Sequence, residues 1–228
     1  MPISFAQRHP WHYWRTEDAH IHEMSLAQGR TLALPAHCHE EDQIAFVLAG
    51  CRHFILPDHC VFVSAGQALR IPAGLVHSSR DIGVETRCVN LYLTPGYGAD
   101  PADSAALLGG IVNDTPHHVL SIPTPETHLP HVPSLGRIDA LAHRHHMTRE
   151  AYSRRFRREY GISPQGFQLL SRLNSAKAFL RQGQSLADTA FHAGFADQSH
   201  MGRLFRRAFG TTPRSYQGKQ SASEERRL

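Results

Sequence analysis

The chain has 228 residues, a formal net charge of +4 at pH 7 and as many as 18 histidines. At about 150 residues per domain, this length predicts one or two domains with cores of normal size. No apolar run approaches the ~18 residues of a membrane span, which excludes a transmembrane protein and a membrane partner. The N-terminus lacks an apolar segment before a small-residue cleavage site, which argues against secretion and predicts a cytoplasmic protein. Its four cysteines are then predicted to be reduced, buried thiols.

Charge is distributed unevenly along the chain. Residues 1–130 contain 7 Lys and Arg against 13 Asp and Glu, a net charge of −6. Residues 131–228 contain 17 Lys and Arg against 7 Asp and Glu, a net charge of +10. This asymmetry predicts two modules with different partners, and the basic module has the charge of a protein that binds a polyanion. The other interpretation of the basic module is a solvated charged surface.

The first module, residues 1–114, is predicted to be an all-β barrel. Short apolar runs alternate with turns that contain glycine or proline, as they do in sandwiches and barrels. The predicted strands are His20–Ala27, Thr31–Leu34, Gln43–Leu48, His53–Leu56, Cys60–Val63, Gln67–Ile71 and Thr86–Leu93. A short helix is predicted after them, at Ala102–Leu108.

Two histidine motifs lie within this pattern of strands. His37 and His39 alternate on one strand, so both project to the same face, and Gln43 follows four residues later. The second motif is GQALRIPAGLVH, which ends at His77. Three imidazoles from neighbouring strands can hold a divalent metal such as Zn, Ni, Mn or Fe. The alternatives are that these side chains line an effector pocket without metal, or that the histidines are purely structural.

These motifs resemble the two motifs of the cupin superfamily, G(X)5HXH(X)3-4E(X)6G and G(X)5PXG(X)2H(X)3N. The match includes His37, His39 and His77, with Asp81 where asparagine is usual. Gln43 stands where the family has glutamate, so a neutral amide oxygen replaces an anionic ligand. The resemblance implies a cupin-like fold, and Gln43 argues against the firmly held metal that a catalytic site needs.

Residues 115–136 are predicted to be a semi-rigid linker. Five of them are prolines, and each proline removes a backbone donor and favours an extended conformation at the preceding residue. The segment would separate the barrel from a second domain over residues 137–217, which a flexible tail over residues 218–228 follows.

The second domain is predicted to be all-α, because residues 137–180 and 185–217 repeat each other as two helix-turn-helix units. Six residue pairs are identical at an offset of 49: Arg154/Arg203, Phe156/Phe205, Arg157/Arg206, Arg158/Arg207, Gly161/Gly210 and Pro164/Pro213. Each unit has a short helix, a turn and a longer helix that ends at a glycine. The longer helices are predicted at about 148–160 and 197–209, with Thr148 and Asp197 as N-caps.

Each longer helix has an apolar stripe at helical spacing and a polar face opposite it. The polar faces supply the candidate DNA-binding residues. In the first unit these are Arg149, Glu150, Ser153, Arg154, Arg157 and Arg158, and in the second they are Gln198, Ser199, Gly202, Arg203, Arg206 and Arg207.

The basic half resembles the AraC/XylS family of bacterial transcription regulators over about residues 134–217. Its most specific stretch is SLADTAFHAGFADQSHMGRLFRRAFGTTPRSYQ. The family pattern is matched at Ala190, Gly194, Phe195, Gln198, Ser199, Arg203, Phe205, Gly210, Pro213 and Tyr216. Met201 departs from the usual aromatic or leucine. Members of this family often carry a cupin-like sensing barrel, which fits residues 20–95.

The resemblance implies that each chain places its two longer helices in successive major grooves, ~10 bp apart. Gln198 and Arg203 in one unit, and Glu150 and Arg154 in the other, are then the expected base readers. Arg157, Arg158, Arg206 and Arg207 are expected to contact phosphates.

The sequence therefore favours a sequence-specific DNA-binding transcription regulator whose cupin-like barrel senses a small molecule or metal, and which is not an enzyme. Expected partners are double-stranded DNA, an effector, RNA polymerase and a second copy of the chain. The alternatives are a metal-dependent cupin enzyme that carries a DNA-binding tail and an architectural DNA-bending protein with a vestigial barrel. Because little helix is available before the prolines, the family's usual dimer contact is in doubt, and the acidic barrel can pack on the basic half instead.

Overall fold

The computed structural model describes residues 10–112, 114–122 and 137–218. The strands are β1 (Trp11–Arg15), β2 (Ile21–Gly29), β3 (Asp42–Ala49), β4 (Cys51–Ile55), β5 (Cys60–Ser64), β6 (Gln67–Ile71), β7 (Ser78–Arg80), β8 (Thr86–Leu93) and β9 (His118–Ser121). The helices are α1 (Pro101–Val112), α2 (Ile138–Arg144), α3 (Arg149–Tyr160), α4 (Pro164–Arg181), α5 (Leu186–His192), α6 (Gln198–Phe209) and α7 (Pro213–Gln217). The predicted architecture, a β domain followed by a helical domain, is confirmed.

Two sheets form the N-terminal domain. The larger has the order β1-β2-β8-β3-β6-β9 and the smaller the order β5-β4-β7. Ala45 and Val47 of β3 pack into the core shared with the small sheet, whereas Ile44 and Phe46 pack beneath α1. The central strand β3 is therefore buried on both faces, which explains its long apolar run.

The C-terminal domain contains both predicted helix-turn-helix units. α2 and α3 form the first unit, α5 and α6 form the second, and α4 connects them. The predicted caps are confirmed: the Thr148 side chain accepts a hydrogen bond from the Ala151 amide, and Asp197 accepts one from the His200 amide. α3 and α6 each end at a glycine in the left-handed conformation, Gly161 with φ of 73° and Gly210 with φ of 71°.

The predicted strand at Thr31–Leu34 is wrong, because side chains rather than a neighbouring strand bind its amides. The Leu32 and Ala33 amides both donate to Asp81 Oδ1, and the Leu34 amide donates to Ser79 Oγ. The segment has the composition of a strand, but no strand among the described residues forms a hydrogen-bonded ladder with it. Strands β1 and β7 were not predicted at all.

The predicted linker overlaps the barrel. Strand β9 lies within residues 115–136 and pairs in parallel with the edge of β6, through Val119 opposite Ala68. Prolines flank this strand rather than interrupt it, and an edge position tolerates their missing donors. Residues 123–136 of the linker and 219–228 of the tail lie outside the described residues.

All four cysteines are free thiols, as predicted, but they are not all buried. Cys38 and Cys88 are buried, Cys51 is partly buried and Cys60 is exposed at the start of the edge strand β5. Burial raises the pKa of Cys38 to about 12 and that of Cys88 to about 11.

The barrel and the helices pack against each other. The structure therefore has the alternative arrangement given above, in which the acidic barrel packs on the basic half. One continuous apolar core joins Trp11 and Tyr13 of β1 to Phe205, Phe209 and Tyr216 of the second unit. Among the described residues, no helix is long and apolar enough to cross a membrane.

Candidate functional site

The first candidate site is the outer face of α3 and α6. Their buried stripes, which include Phe156 in α3 and Met201 and Phe205 in α6, pack into the domain core. This leaves the opposite faces in solvent. The side chains of ten predicted residues are exposed: Arg149, Glu150, Arg154, Arg157, Arg158, Gln198, Ser199, Arg203, Arg206 and Arg207. Ser153 and Gly202 are partly buried on the same faces.

The arginines of these two faces are electrostatically available. Within the described part of the chain, no recorded ion pair involves the seven arginines named there. The surface around Gly202 is open, since a Cβ built on it would meet no other group within 4 Å. The two faces therefore present free guanidinium groups on helices that a close ligand can approach.

The second candidate site is the histidine pocket, which consists of His37, His39, Gln43 and His77. His37 and His77 are paired through reciprocal backbone hydrogen bonds of 2.8 Å. The ring centroid of His37 lies 4.3 Å from that of His77 and 4.9 Å from that of His39. The structure thus brings together the three histidines that the two motifs predicted, all of them buried.

Hydrogen bonds determine which ring nitrogens are left free in the histidine pocket. The Nδ1 atoms of His37 and His77 lie 2.7 Å and 2.9 Å from the backbone oxygens of Pro35 and Leu75. Because a carbonyl only accepts, each Nδ1 carries the proton and each Nε2 keeps a free lone pair. Among the described residues, His77 Nε2 and both ring nitrogens of His39 have no hydrogen-bond partner.

Burial also keeps the imidazoles uncharged. It lowers the pKa of His77 to about 4, and it lowers the pKa values of His37 and His39 well below the ordinary 6.5. The cationic groups of Lys177 and Arg52 act in the same direction on the pKa of His37. At neutral pH the site therefore offers neutral nitrogen donors inside a positive local potential.

Gln43 completes the polar group of the pocket. Its amide nitrogen donates to Asn90 Oδ1 at 2.9 Å, and Asn90 in turn donates to Ser25 Oγ at 3.0 Å. This chain orients the Gln43 amide, whose Oε1 is buried without a partner among the described residues. One ligand atom from each of the three histidines lies within 4.8 Å of the others. Three neutral imidazoles with an amide oxygen fit a divalent transition metal, although no carboxylate supplies charge.

Sequence reasoning missed the charged groups behind the histidine pocket. Lys177 is 3 % exposed on α4, and its Nζ atom lies 4.4 Å from the ring centroid of Tyr92. The Tyr92 ring contacts that of His39 edge-on, at 5.0 Å. A signal for Lys177 was available: it lies on the same helical stripe as Leu170, Leu173 and Leu180, where a charge needs a buried partner.

Known proteins resemble the helical domain in sequence. A family model described as a helix-turn-helix domain matches residues 141–219. Over 77 residues the chain is 35 % identical to the HTH-type transcriptional activator RhaS of Escherichia coli O157:H7 (strain EC4115 / EHEC). The aligned segment covers 33 % of this chain and 28 % of that relative. RhaS of Escherichia fergusonii is 35 % identical over 86 residues, or 37 % of this chain and 31 % of the relative. The chain thus spans about a third or less of the curated relatives it matches.

The whole chain resembles one set of solved structures in fold. The crystal structure of unsaturated fatty acid bound ToxT from Vibrio cholerae strain SCE256 aligns with a TM-score of 0.59 at 10 % identity, over 89 % of this chain and 96 % of that chain. A second ToxT crystal structure aligns with a TM-score of 0.51 at 9 % identity, over 86 % and 97 % of the two chains. The likeness extends over both domains, so the two-domain fold is shared.

Proposed function

Because the helical domain of this chain belongs to the AraC/XylS type of helix-turn-helix domain, we propose that the protein is a sequence-specific DNA-binding transcription regulator with a sensing barrel. The observation that carries this proposal is the pair of equivalent helices, α3 and α6, whose seven named arginines are exposed and have no ion pair with any described residue. One such face is a common surface feature. Two equivalent faces in a repeat point to a repeating ligand such as the DNA duplex.

α3 and α6 are the recognition helices in this proposal. Each enters a major groove, and their first two turns carry the base-reading groups. Arg154 and Arg203 are suited to bidentate contact with guanine, and Gln198 to adenine. The arginines of the last turn, including Arg157 and Arg206, bind phosphates and set the register of the helix on the duplex.

The histidine pocket is the proposed sensing site. The ToxT structure named above holds an unsaturated fatty acid, whereas the site proposed here is a cluster of three buried imidazoles. That donor set favours a small polar molecule or a divalent cation such as Zn, Ni, Mn or Fe. A bound cation would supply positive charge and ligand bonds at His37, His39, His77 and Gln43, and no reaction is required of it.

A metal-dependent cupin enzyme with a DNA-binding tail is the second candidate, and the histidine cluster is the observation that favours it. Such an enzyme needs a tightly held metal with an open position for substrate. Gln43 weakens the first requirement, because it places a neutral donor where an anionic one would bind more firmly. RNA polymerase contact, pairing of two chains and a cytoplasmic location stay predictions of the regulator proposal.

The proposal is tested by selecting binding sites for the full-length protein from randomised duplex DNA. An enriched site with two half-sites about one helical turn apart is expected. Arg203→Ala should lose ~1–3 kcal/mol of binding free energy and relax specificity at one base pair. Arg207→Ala is the matched variant on the same helix, and it should weaken binding to all sequences evenly and lower the salt slope by about one unit.

Two outcomes would contradict the proposal. The first is the absence of any enriched site with a wild-type protein that is folded by circular dichroism. The second is an Arg203→Ala variant that selects the same site with unchanged affinity. An equal loss on all sequences would instead assign Arg203 to phosphate contact and remove it from the base readers.

A further inference from the structure

The connector helix and the second helix-turn-helix unit carry the polar contacts that the structure records between the helices and the barrel. Arg181 Nη1 of α4 pairs with Glu41 Oε1 at 2.6 Å, and Asn174 Nδ2 donates to the Cys38 carbonyl oxygen at 3.2 Å. The Arg15 guanidinium of β1 donates to the Arg181 carbonyl oxygen at 2.6 Å. These contacts hold the C-terminal half of α4, from Asn174 to Arg181, against the barrel.

A buried ion pair lies at the centre of this interface. Lys177 Nζ lies 2.6 Å from Glu23 Oε1, and the two side chains are 3 % and 1 % exposed. The Tyr216 hydroxyl of α7 also donates to Glu23. Because each buried charge is tolerated only beside its partner, losing one of them disrupts the packing of the other.

The C-terminal end of α6 is wedged against β1. A Cβ built on Gly210 would lie only 2.2 Å from Trp11 Cδ1, so no larger residue fits there without movement. The Tyr13 hydroxyl donates to the Phe209 carbonyl oxygen at 2.8 Å. We call the set that joins α4, α7 and the end of α6 to the barrel the clamp, and it consists of Trp11, Tyr13, Glu23, Lys177 and Tyr216.

The equivalent point of the first unit is attached more loosely. Gly161 occupies the repeat position of Gly210 and has the same left-handed conformation. A Cβ built on Gly161 would lie 3.6 Å from Pro57 Cγ, an ordinary van der Waals distance. Two units that are equivalent in sequence are therefore docked unequally on one barrel.

The clamp also reaches the histidine pocket. Asn174 binds the backbone of Cys38, the residue between His37 and His39. Lys177 and His39 both contact Tyr92, from different sides of the interface. The Lys177 Nζ atom lies 4.4 Å from the Tyr92 ring centroid, and the His39 ring centroid lies 5.0 Å from it. A change of charge or packing in the pocket therefore acts directly on α4 and on the ion pair.

We propose that the barrel controls the two halves of the operator unequally: through the clamp it sets the position of α6, while α3 is left to bind its half-site independently. The proposal rests on the proposed DNA-binding function and specifies how that function is regulated. It assigns Glu23 and Lys177 as positioning residues, since neither lies on a recognition helix.

The test uses the selected operator and two derivatives, each with one half-site scrambled. Glu23→Gln removes the barrel charge of the clamp at a distance from the recognition helices. It should change the Kd for the operator that keeps the α6 half-site by about tenfold, within the range of allosteric couplings. The Kd for the operator that keeps the α3 half-site should change less than about twofold. Pro57→Ala, on the barrel surface beside the first unit, is the matched control and should change neither.

A second set of variants keeps the proposal testable if Glu23→Gln does not fold. Gly210→Ala places a methyl group against Trp11, and Trp11→Ala in the double variant should recover part of the α6 half-site binding, because it removes the clash but not the backbone strain. Gly161→Ala carries the same backbone strain without the clash, so Trp11→Ala should not restore its binding. Equal effects of the clamp variants on both half-sites, or no effect on either, would overturn the proposal while DNA binding itself stands.

The link to the histidine pocket is tested with Zn²⁺ alone as the probe. In the wild type, Zn²⁺ should shift the Kd for the α6 half-site operator and leave the α3 half-site operator unchanged. His39→Ala should abolish this shift. An equal shift on both operators, or none on either, would overturn the link. Failure of the wild type to select any operator would instead refute the DNA-binding function.

Discussion

Two backbone carbonyls determine the tautomers of His37 and His77. By accepting from His37 Nδ1 and His77 Nδ1, the oxygens of Pro35 and Leu75 fix both tautomers with a free Nε2 lone pair. The sequence motifs predicted which three histidines would meet. They could not predict the tautomers, because these depend on carbonyls that the turn geometry alone brings within reach.

We expect the histidine pocket to take up about one equivalent of Zn²⁺ or Ni²⁺ per chain without releasing protons at pH 6.5. At that pH three ordinary imidazoles would be half protonated and would release about 1.5 protons on binding a metal. Here burial lowers the three pKa values, so the ligands are already neutral. Calorimetry in buffers of different ionisation enthalpy measures the proton release on untagged protein.

His53→Ala is the control for this measurement, because His53 stacks on Phe62 outside the histidine pocket. It should leave the stoichiometry unchanged, whereas His39→Ala should lower it. Absence of uptake by the wild type would support the metal-free effector pocket. Release of one or more protons would show that the lowered pKa values are wrong.

At the scale of secondary structure, local sequence marked the helix ends and most of the strands, but it failed for Thr31–Leu34. The caps Thr148 and Asp197 and the left-handed glycines Gly161 and Gly210 mark helix ends by interactions within a few residues. Strand identity depends instead on a distant partner. Thr31–Leu34 has a strand-like composition, yet the side chain of Asp81 takes the amides that a neighbouring strand would bind.

We expect Thr148→Ala to destabilise the first unit by about 1 kcal/mol, because the Thr148 side chain accepts from the Ala151 amide at the start of α3. Thr148→Ser keeps the hydroxyl and should retain most of this free energy. The free energy of unfolding is measured by urea titration. If the serine and alanine variants lose equal stability, the side chain does not act as a cap.

At the scale of the molecule, the two modules predicted from the charge distribution are both present, and they pack against each other. The split in net charge correctly divided the chain into a barrel and a helical domain. It also allowed packing of one on the other as an alternative, but it could not identify the buried pair of Glu23 and Lys177. A pair separated by more than 150 residues in sequence follows only from the docked tertiary structure.

We expect the barrel and the helical domain to unfold in one transition, because a continuous core joins them. Both tryptophans lie in β1. Trp11 packs into the shared core and Trp14 packs against the core beneath α1, so fluorescence reports on the junction and on the barrel. Circular dichroism at 222 nm reports mainly on the helices. The two urea midpoints should coincide, and separate midpoints would show that the interface is too weak to couple the domains.

The unequal docking of Gly161 and Gly210 has a consequence for how such a protein changes over generations. The two units are similar in sequence, but of their equivalent glycines only Gly210 lies against β1. Under the proposed function, substitutions on the outer face of α3 are constrained by DNA alone, whereas those near the end of α6 must also fit against Trp11. The first unit can therefore accept changes of specificity more easily than the second.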